Sequence, residues 1–333
     1  TAIARAVQFQ LYLGFGAEAR QTLRAFDQDQ SESPVWIALS FLMDGENDPT
    51  HHFADQAACD GPAALWAVLA TENLTTGDVI NTGALKLSFA ALPLHLRRQL
   101  GPVLIEKLLA KKDLATARAL SDAIGRTMGQ PTEAMTLANA EMDLSEGTAA
   151  LAEEKAEAVL EHPGPNHVEA LISLAEARVA QNLPISPDIA IALEANLSEF
   201  AGTDTEPRLI EALILAQAAS GNFAAAFVGL SNHPDRQETV WQLLASLAAD
   251  DVFLTHAVLE SDQVLPEISD QTKTTVARRL TGLGLPKPAQ KWLESVNAAD
   301  PLLVAEAALK ASDAQTALSA LKDVQGDVAT SLT

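Results

Sequence analysis

The sequence predicts an all-α protein, a right-handed α-α superhelix (solenoid) of about ten helical hairpins. Three observations predict it. Apolar residues recur at helical spacing, turn residues recur about every 33 positions, and a proline falls about midway between successive turns. Each hairpin is then one unit that buries its apolar face against its neighbours.

The clearest hairpin lies near the middle of the chain. One helical stripe is formed by Leu209, Leu213, Ala216 and Ser220. Gly221 supplies the left-handed residue that ends a helix at little cost, and Asn222 is a good cap for the next helix. This stretch therefore predicts two antiparallel helices joined at Gly221.

Equivalent turns recur along the whole chain. Six of the ten are glycines, although the chain has only 17 glycines in 333 residues. The predicted turn residues are Gly14, Gly45, Gly77, Lys112, Gly147, Asn182, Gly221, Asp251, Gly284 and Ser312. The prolines between them are Pro34, Pro62, Pro93, Pro131, Pro163, Pro207, Pro234, Pro266 and Pro301. Proline is disfavoured in helix interiors but favoured in the first turn of a helix. Prolines placed midway between turn residues therefore predict alternating helices and turns.

The hairpins follow one another in chain order. The first covers residues 3–26, the second pairs 34–43 with about 49–58, and the third pairs 62–71 with 79–92 through a turn that we expect to be wide. Later pairs are 131–144 with 149–160, 166–181 with 186–200, 207–220 with 222–230, 236–249 with 252–259, 267–283 with 288–296, and 301–311 with 314–324. A polar tail, 325–333, follows.

These residues resemble the tetratricopeptide repeat, a helical pair of about 34 residues with an alanine five residues after its turn glycine and a proline near its end. The turn pattern matches at Gly14 with Ala19, Gly147 with Ala152, Gly221 with Ala226, and Gly284 with Ala289. The first-helix pattern matches at Trp66, Leu69 and Ala70, and at Trp241, Leu244 and Ala245. Aromatic positions are mostly leucine or alanine, and the repeat length varies from about 28 to 39 residues. The chain is therefore identified as a divergent TPR-like protein, and related helical-pair solenoids remain alternatives.

The expected domain organisation is a single array over residues 1–333, with possible sub-halves 1–130 and 131–333. A solenoid grows without one central core, so this length does not require two domains. The uncharged span at residues 212–234 contains Gly221 and Asn222 in its middle and fits a hairpin, so we expect no membrane span.

The net charge of the chain limits the classes of molecule that we expect it to bind. The chain carries 44 acidic and 22 basic residues, a net charge of −22. Such a surface repels phosphate backbones and anionic headgroups. We therefore expect a protein or peptide partner and no nucleic acid, while the oligomeric state stays open.

No motif for catalysis or cofactor binding is found, so we expect neither an enzyme activity nor a cofactor. His51, His52, Asp55 and Cys59 are metal-ligand types within nine residues. Adjacent histidines point about 100° apart on a helix, so we interpret this group as a solvated helix face and expect no metal. Cys59, alone and next to alanines, is expected to be a small core residue.

Two basic stretches stand out against the acidic background. Residues 97–126 hold seven cations against three carboxylates, and residues 273–291 hold five cations and no carboxylate. They are interpreted either as solvated faces or as docking sites for an acidic segment. If they dock a partner, the candidate partner-binding residues are Lys273, Arg278, Arg279, Arg97 and Arg98, with Arg278 and Arg279 the leading pair.

Two functions follow as expectations. By resemblance, TPR-like arrays bind peptides or proteins along a concave face that is lined by the first helix of each pair. The alternative is a helical accessory domain of a cell-envelope enzyme whose catalytic part lies outside this chain. The chain begins at Thr1, already inside an apolar helix, and this favours a preceding segment and a periplasmic over a cytoplasmic location.

Overall fold

The computed structural model describes residues 2–26, 33–126, 131–259 and 265–322. All regular secondary structure in these ranges is helical. The chain divides into two compact units, residues 1–174 and 175–333, and each is considered by itself. The predicted tail 325–333 and most of the predicted linker 27–33 lie outside the described residues.

The described part of the first unit contains nine complete helices. They are α1 (Ala2–Leu13), α2 (Gly16–Phe26), α3 (Ser33–Met43), α4 (Ala63–Ala70), α5 (Thr82–Ala91), α6 (Leu94–Ala110), α7 (Leu114–Gly125), α8 (Glu133–Ser145) and α9 (Ala149–Leu160). The division between the units falls within α10 (His167–Ala180).

The second unit continues the same alternation of helices and turns. Its α-helices are α11 (Pro187–Asn196), α12 (Glu206–Ala219), α13 (Phe223–Gly229), α14 (Gln237–Leu247), α15 (Asp250–Leu254), α16 (Asp270–Gly282), α17 (Pro286–Glu294), α18 (Pro301–Lys310) and α19 (Ala314–Leu321). A 3₁₀ turn, Pro234–Arg236, precedes α14, and a π-helix, Thr255–Leu259, follows α15.

Eight of the ten predicted turn residues adopt the left-handed backbone conformation. They are Gly14, Gly45, Lys112, Gly147, Asn182, Gly221, Gly284 and Ser312. At each one, its own N–H bonds the carbonyl three residues back, and the next N–H bonds the carbonyl five residues back. This pair of bonds is the Schellman motif that closes a helix. The same local turn therefore recurs at eight places that sequence spacing predicts.

Several of these turns begin the next helix at once. Asp113, Asn222 and Asp313 each directly follow a left-handed residue, and each side chain accepts a hydrogen bond from the backbone N–H three residues later. Such a cap satisfies one of the free donors at a helix N-terminus. One helix thus ends and the next starts within two residues.

The predicted helix at residues 49–58 is wrong. Buried Asp48 accepts hydrogen bonds from the N–H groups of Thr50 and His52, at 2.8 and 3.0 Å, and a series of turns follows. His51 and Asp55 have positive φ values, which interrupt a helix. Phe53 still reaches the core, with 6% of its surface exposed. The segment is anchored without forming the second helix of a hairpin.

Two predicted turns are displaced. Gly77 lies in the wide connection that we expected between α4 and α5, and Asn81 caps α5 by accepting from the N–H of Ala84 at 3.0 Å. Asp251 lies inside α15 rather than in the turn. That turn falls at Ala248 and Ala249, which are both extended.

In each unit, the core lies between a helix and the next helix, or the next but one, along the chain. In the first unit, α2 packs on α3 and α6 packs on α8; in the second, α12 packs on α14 and α14 on α16. Trp241 and Trp292 lie 5.3 Å apart in the second unit, and Phe227 contacts both Trp241 and His256. The indole N–H of Trp292 donates to the carbonyl of Ala257 at 3.0 Å.

Candidate binding groove

The guanidinium of Arg279 faces inward, onto the end of α14. It donates to the carbonyls of Leu244 and Ala245, at 3.0 and 3.1 Å, and to the carbonyl of Ala248. It also pairs with Asp250 at 2.8 Å and lies over the ring of Phe253. Arg279 therefore closes the C-terminal end of a neighbouring helix, where free carbonyls favour a cation.

The other predicted residues on α16 differ from Arg279. The Nζ of half-buried Lys273 donates to the carbonyl of Ser295, at the C-terminal end of α17. Arg278 is exposed. The two arginines of the leading pair thus have different surroundings, and of the two only Arg278 is presented to solvent as the docking hypothesis requires.

The first basic stretch shows the same use of cations inside the unit. Lys107 on α6 donates to the carbonyl of Thr71 at the end of α4, and Lys111 donates to the carbonyl of Asp78 in the α4–α5 connection. Arg118 pairs with Glu146 and with buried Asp143. On α6, Arg97 is half-buried and Arg98 is exposed.

A recurrent arrangement emerges from these contacts. A cation on a later helix contacts the terminal carbonyls of an earlier one: Lys107 at the end of α4, Arg279 at the end of α14, and Lys310 at Thr281 of α16. The linked residues are 36, 35 and 29 positions apart. These separations are close to the predicted repeat length, and in each case the two linked helices are next but one along the chain.

An open apolar groove of about 600 Å³ lies along α12 and α13. Its walls are Ile210, Leu213, Ile214, Gln217, Ala224, Ala225, Val228, Gly229, Asn232 and His233. Val228 is the most accessible of its large side chains, with 75% of its surface exposed. A Cβ added at Gly229 would lie 2.7 Å from Ile214, so glycine lets the two helices approach closely here.

The rim of the groove is polar. Gln217 is half-buried on α12, and Asn232 is exposed after α13. Both amides can donate and accept hydrogen bonds, as the backbone of a bound chain requires. The groove thus combines an apolar floor with a few neutral polar groups, the usual composition of a binding site.

One end of the groove leads to a charged cluster. Donor atoms of Glu211, His233 and Asp235 lie within 4.8 Å of one another, and no other group of metal-ligand side chains converges in the described ranges. Arg236 pairs with Glu211 and, at 3.2 Å, with Asp235. Because the guanidinium already compensates both carboxylates, we assign this cluster to the rim of the groove and not to a metal site.

The group at residues 51–59 lies on turns rather than on a helix face. His51, Asp55 and Cys59 are exposed, and His52 is half-buried. The expectation that Cys59 is a core residue is therefore wrong.

The groove was not among the sites predicted from sequence. Helical spacing places Leu213 in the stripe of one helix and Val228 in the second helix of the same hairpin, and it marks neither as a binding residue. The available signal was the absence of charge over residues 212–234. An exposed helix face normally carries charged residues, so an uncharged surface helix indicates a face kept for another molecule.

Comparison with known proteins finds no family model, curated protein or solved structure that matches this chain. None of the helices in the described ranges has the length and apolar character needed to cross a bilayer.

Proposed function

We propose that this chain is a non-catalytic scaffold that binds a protein or peptide segment, built from TPR-like hairpins in a solenoid. The observation that carries the proposal is the apolar groove on α12 and α13, whose walls include exposed Val228. The recurrent Schellman turns support the repeat, as do the contacts between residues 36, 35 and 29 positions apart.

The groove favours a particular kind of segment. Ile210, Leu213 and Ile214 offer aliphatic contact, while Gln217 and Asn232 offer amide groups for a peptide backbone. Because the groove walls carry no side chain that is fully charged at neutral pH, we expect a segment that inserts uncharged aliphatic or aromatic side chains. The first helix of the pair, α12, contributes Ile210, Leu213, Ile214 and Gln217, in keeping with the role of first helices in the family that the sequence resembles.

The test is selection of random peptides of about 12 residues displayed on phage, a length of about three turns when helical. Selected peptides are then measured by fluorescence anisotropy against the wild type and Val228→Lys. An ammonium placed in an apolar contact removes about 1.5 kcal/mol or more, which is at least about tenfold in Kd.

The matched control is Leu318→Lys, because Leu318 is an exposed leucine on α19, 54% accessible and absent from the groove walls. We expect it to leave peptide affinity unchanged. Failure to enrich any peptide, or peptides that bind Val228→Lys as tightly as wild type, would contradict the proposal.

A further inference from the structure

The first hairpin, α1 and α2, carries an unusual surface. All four aromatic side chains that are exposed in the described ranges lie within the first 26 residues: Phe9, Tyr12, Phe15 and Phe26. The aromatic side chains elsewhere in the described ranges are buried or half-buried. Large exposed apolar patches on soluble proteins mark interaction sites, and aromatic residues are enriched in them.

Spacing places part of this surface in a single stripe. Ala2, Ala6, Phe9 and Leu13 are all exposed, and their spacing of four, three and four residues puts them on one face of α1. Val7 and Leu11 lie on the opposite face, which is buried in the first unit. The helix therefore has two apolar faces, and one of them has no covering element in the described structure.

The order of residues along the stripe is small, small, large, large. When two copies of α1 pack antiparallel about a twofold axis between residues 7 and 8, Ala2 faces Leu13 and Ala6 faces Phe9. Each large side chain then lies against an alanine, the small-to-large complementarity that close helix packing needs. On one flank, Arg5 of one copy comes near the ring of Tyr12 of the other, a cation–π arrangement.

Charge does not oppose this partner. The contact stripe carries no carboxylate, although the whole chain has a net charge of −22, and Arg20 of the same hairpin is already paired with Asp44 and Glu46. Two copies of so acidic a chain repel each other over most of their surface. The first hairpin is a place where they can approach without a carboxylate on the contact stripe.

We propose that the Ala2–Ala6–Phe9–Leu13 face of α1 is a self-association surface, at which two copies of this chain form an antiparallel, twofold symmetric dimer. A helix of 12 residues is only about 18 Å long and covers less than the roughly 800 Å² per partner of a standard interface. We therefore expect a weak dimer, with a Kd in the range of about 10 to 100 µM.

The first test is sedimentation equilibrium of the wild type, Phe9→Glu and Leu87→Glu between about 5 and 500 µM, a range that brackets the expected Kd. Leu87 on α5 is the matched control, an exposed leucine of the same unit with 76% accessibility. We expect Phe9→Glu to weaken association at least tenfold and Leu87→Glu to leave it unchanged. A wild type that stays monomeric over this whole range overturns the proposal and assigns the stripe to a partner of different sequence. Equal weakening of association by Phe9→Glu and Leu87→Glu also overturns it.

The second test fixes the geometry and does not depend on a charge placed in the stripe. In a Cys59→Ser background, Ala2→Cys and Leu13→Cys proteins are mixed and oxidised. The antiparallel register predicts a mixed disulfide, because the two positions face each other. Two Ala2→Cys copies should not cross-link, since about 11 residues of helix rise, about 16 Å, separate them and a disulfide needs Cα atoms within about 7 Å. Preferential cross-linking of Ala2→Cys with itself overturns the antiparallel arrangement.

Discussion

Glu238, in the first turn of α14, caps a different helix through Ser269, the N-cap residue directly before α16. The backbone N–H and the hydroxyl of Ser269 each donate to the Glu238 carboxylate at 2.7 Å. Thr272, in the first turn of α16, donates its hydroxyl to the same carboxylate. A negative charge at a helix N-terminus is favourable, so this contact stabilises α16 and its packing on α14.

This cap makes stability depend on pH. Burial alone would raise the pKa of Glu238, but hydrogen bonds from Thr272, Ser269 and Gln242 outweigh burial and hold the pKa below its ordinary value of 4.5. A lowered pKa in the folded state means that the stabilisation is fully present above about pH 4.5 and is lost as the pH falls through the folded-state pKa.

We therefore expect Glu238→Gln to lower the free energy of unfolding by about 1 kcal/mol at pH 7, and the difference from wild type to shrink below about pH 4.5. Urea unfolding followed by circular dichroism at several pH values measures it. The control is Glu294→Gln, at an exposed position on α17. A difference that stays constant down to pH 3 would mean that the carboxylate charge has no part in the cap.

Arg278 and Arg279 are expected to respond differently to the same substitution. Arg279→Ala removes the cation from the end of α14, and we expect it to lower the free energy of unfolding by about 2 kcal/mol. Arg278→Ala changes an exposed side chain and should alter it by less than about 0.5 kcal/mol. Chemical denaturation of both variants checks this, and equal effects would contradict the assigned roles. Only Arg278→Ala can then test partner capture without a change in stability.

The recurrent turns can be tested by adding a Cβ at one turn residue and removing the side chain at another. Gly147 has φ of 78° with open space around it, and Lys112 has φ of 63° at the equivalent turn. Gly147→Ala should cost about 1 kcal/mol, since a Cβ is disfavoured in that conformation. Lys112→Gly should stabilise by up to about 1 kcal/mol, reduced by the greater freedom of glycine in the unfolded chain. Melting temperatures of the two variants that shift in the same direction would refute this interpretation.

We expect Gly16 not to tolerate a larger residue, because of a steric clash rather than a left-handed backbone conformation. A Cβ there would lie 2.0 Å from the carbonyl oxygen of Ser40 and 2.6 Å from Asp44, whose carboxylate accepts from the Gly16 N–H at 3.0 Å. Because the obstacle is backbone of α3, it cannot move aside cheaply, and Gly16→Ala should cost about 2 to 3 kcal/mol. Gly125→Ala, in open space at the end of α7, is the control and should be neutral or slightly stabilising. Thermal unfolding of the two variants distinguishes these outcomes.

Sequence predicted the turns well because their chemistry is local. Lys112, Asn182 and Ser312 were located by spacing alone, and all three have positive φ. The prediction at residues 49–58 is wrong because Asp48, directly before them, and Pro49, their first residue, also suit a helix N-terminus. The positive φ of His51 and Asp55 has no comparable sequence signal.

The candidate site was harder to predict because it depends on which faces remain uncovered. The same helical spacing describes Leu209, which is fully buried, and Ile210, which lines an open groove. Arg279 and Arg278 differ likewise by one residue, and only the packing of α16 on α14 directs one guanidinium inward. Charge runs in a sequence therefore cannot separate cations that close helix ends from cations offered to a partner.

Two of the cations that close helix ends link a later helix to an earlier one. Lys107 on α6 donates to the carbonyl of Thr71 at the end of α4, and Lys310 on α18 donates to the carbonyl of Thr281 near the end of α16. In both pairs, the later helix satisfies a terminal carbonyl of the earlier one. When the later helix opens transiently, the earlier one is left with bare terminal carbonyls and frays more readily. We therefore expect the rate of amide hydrogen exchange in the last turn of α4 or α16 to depend on opening of a helix about 30 residues further along the chain. In these pairs, local opening of the later helix spreads toward the N-terminus.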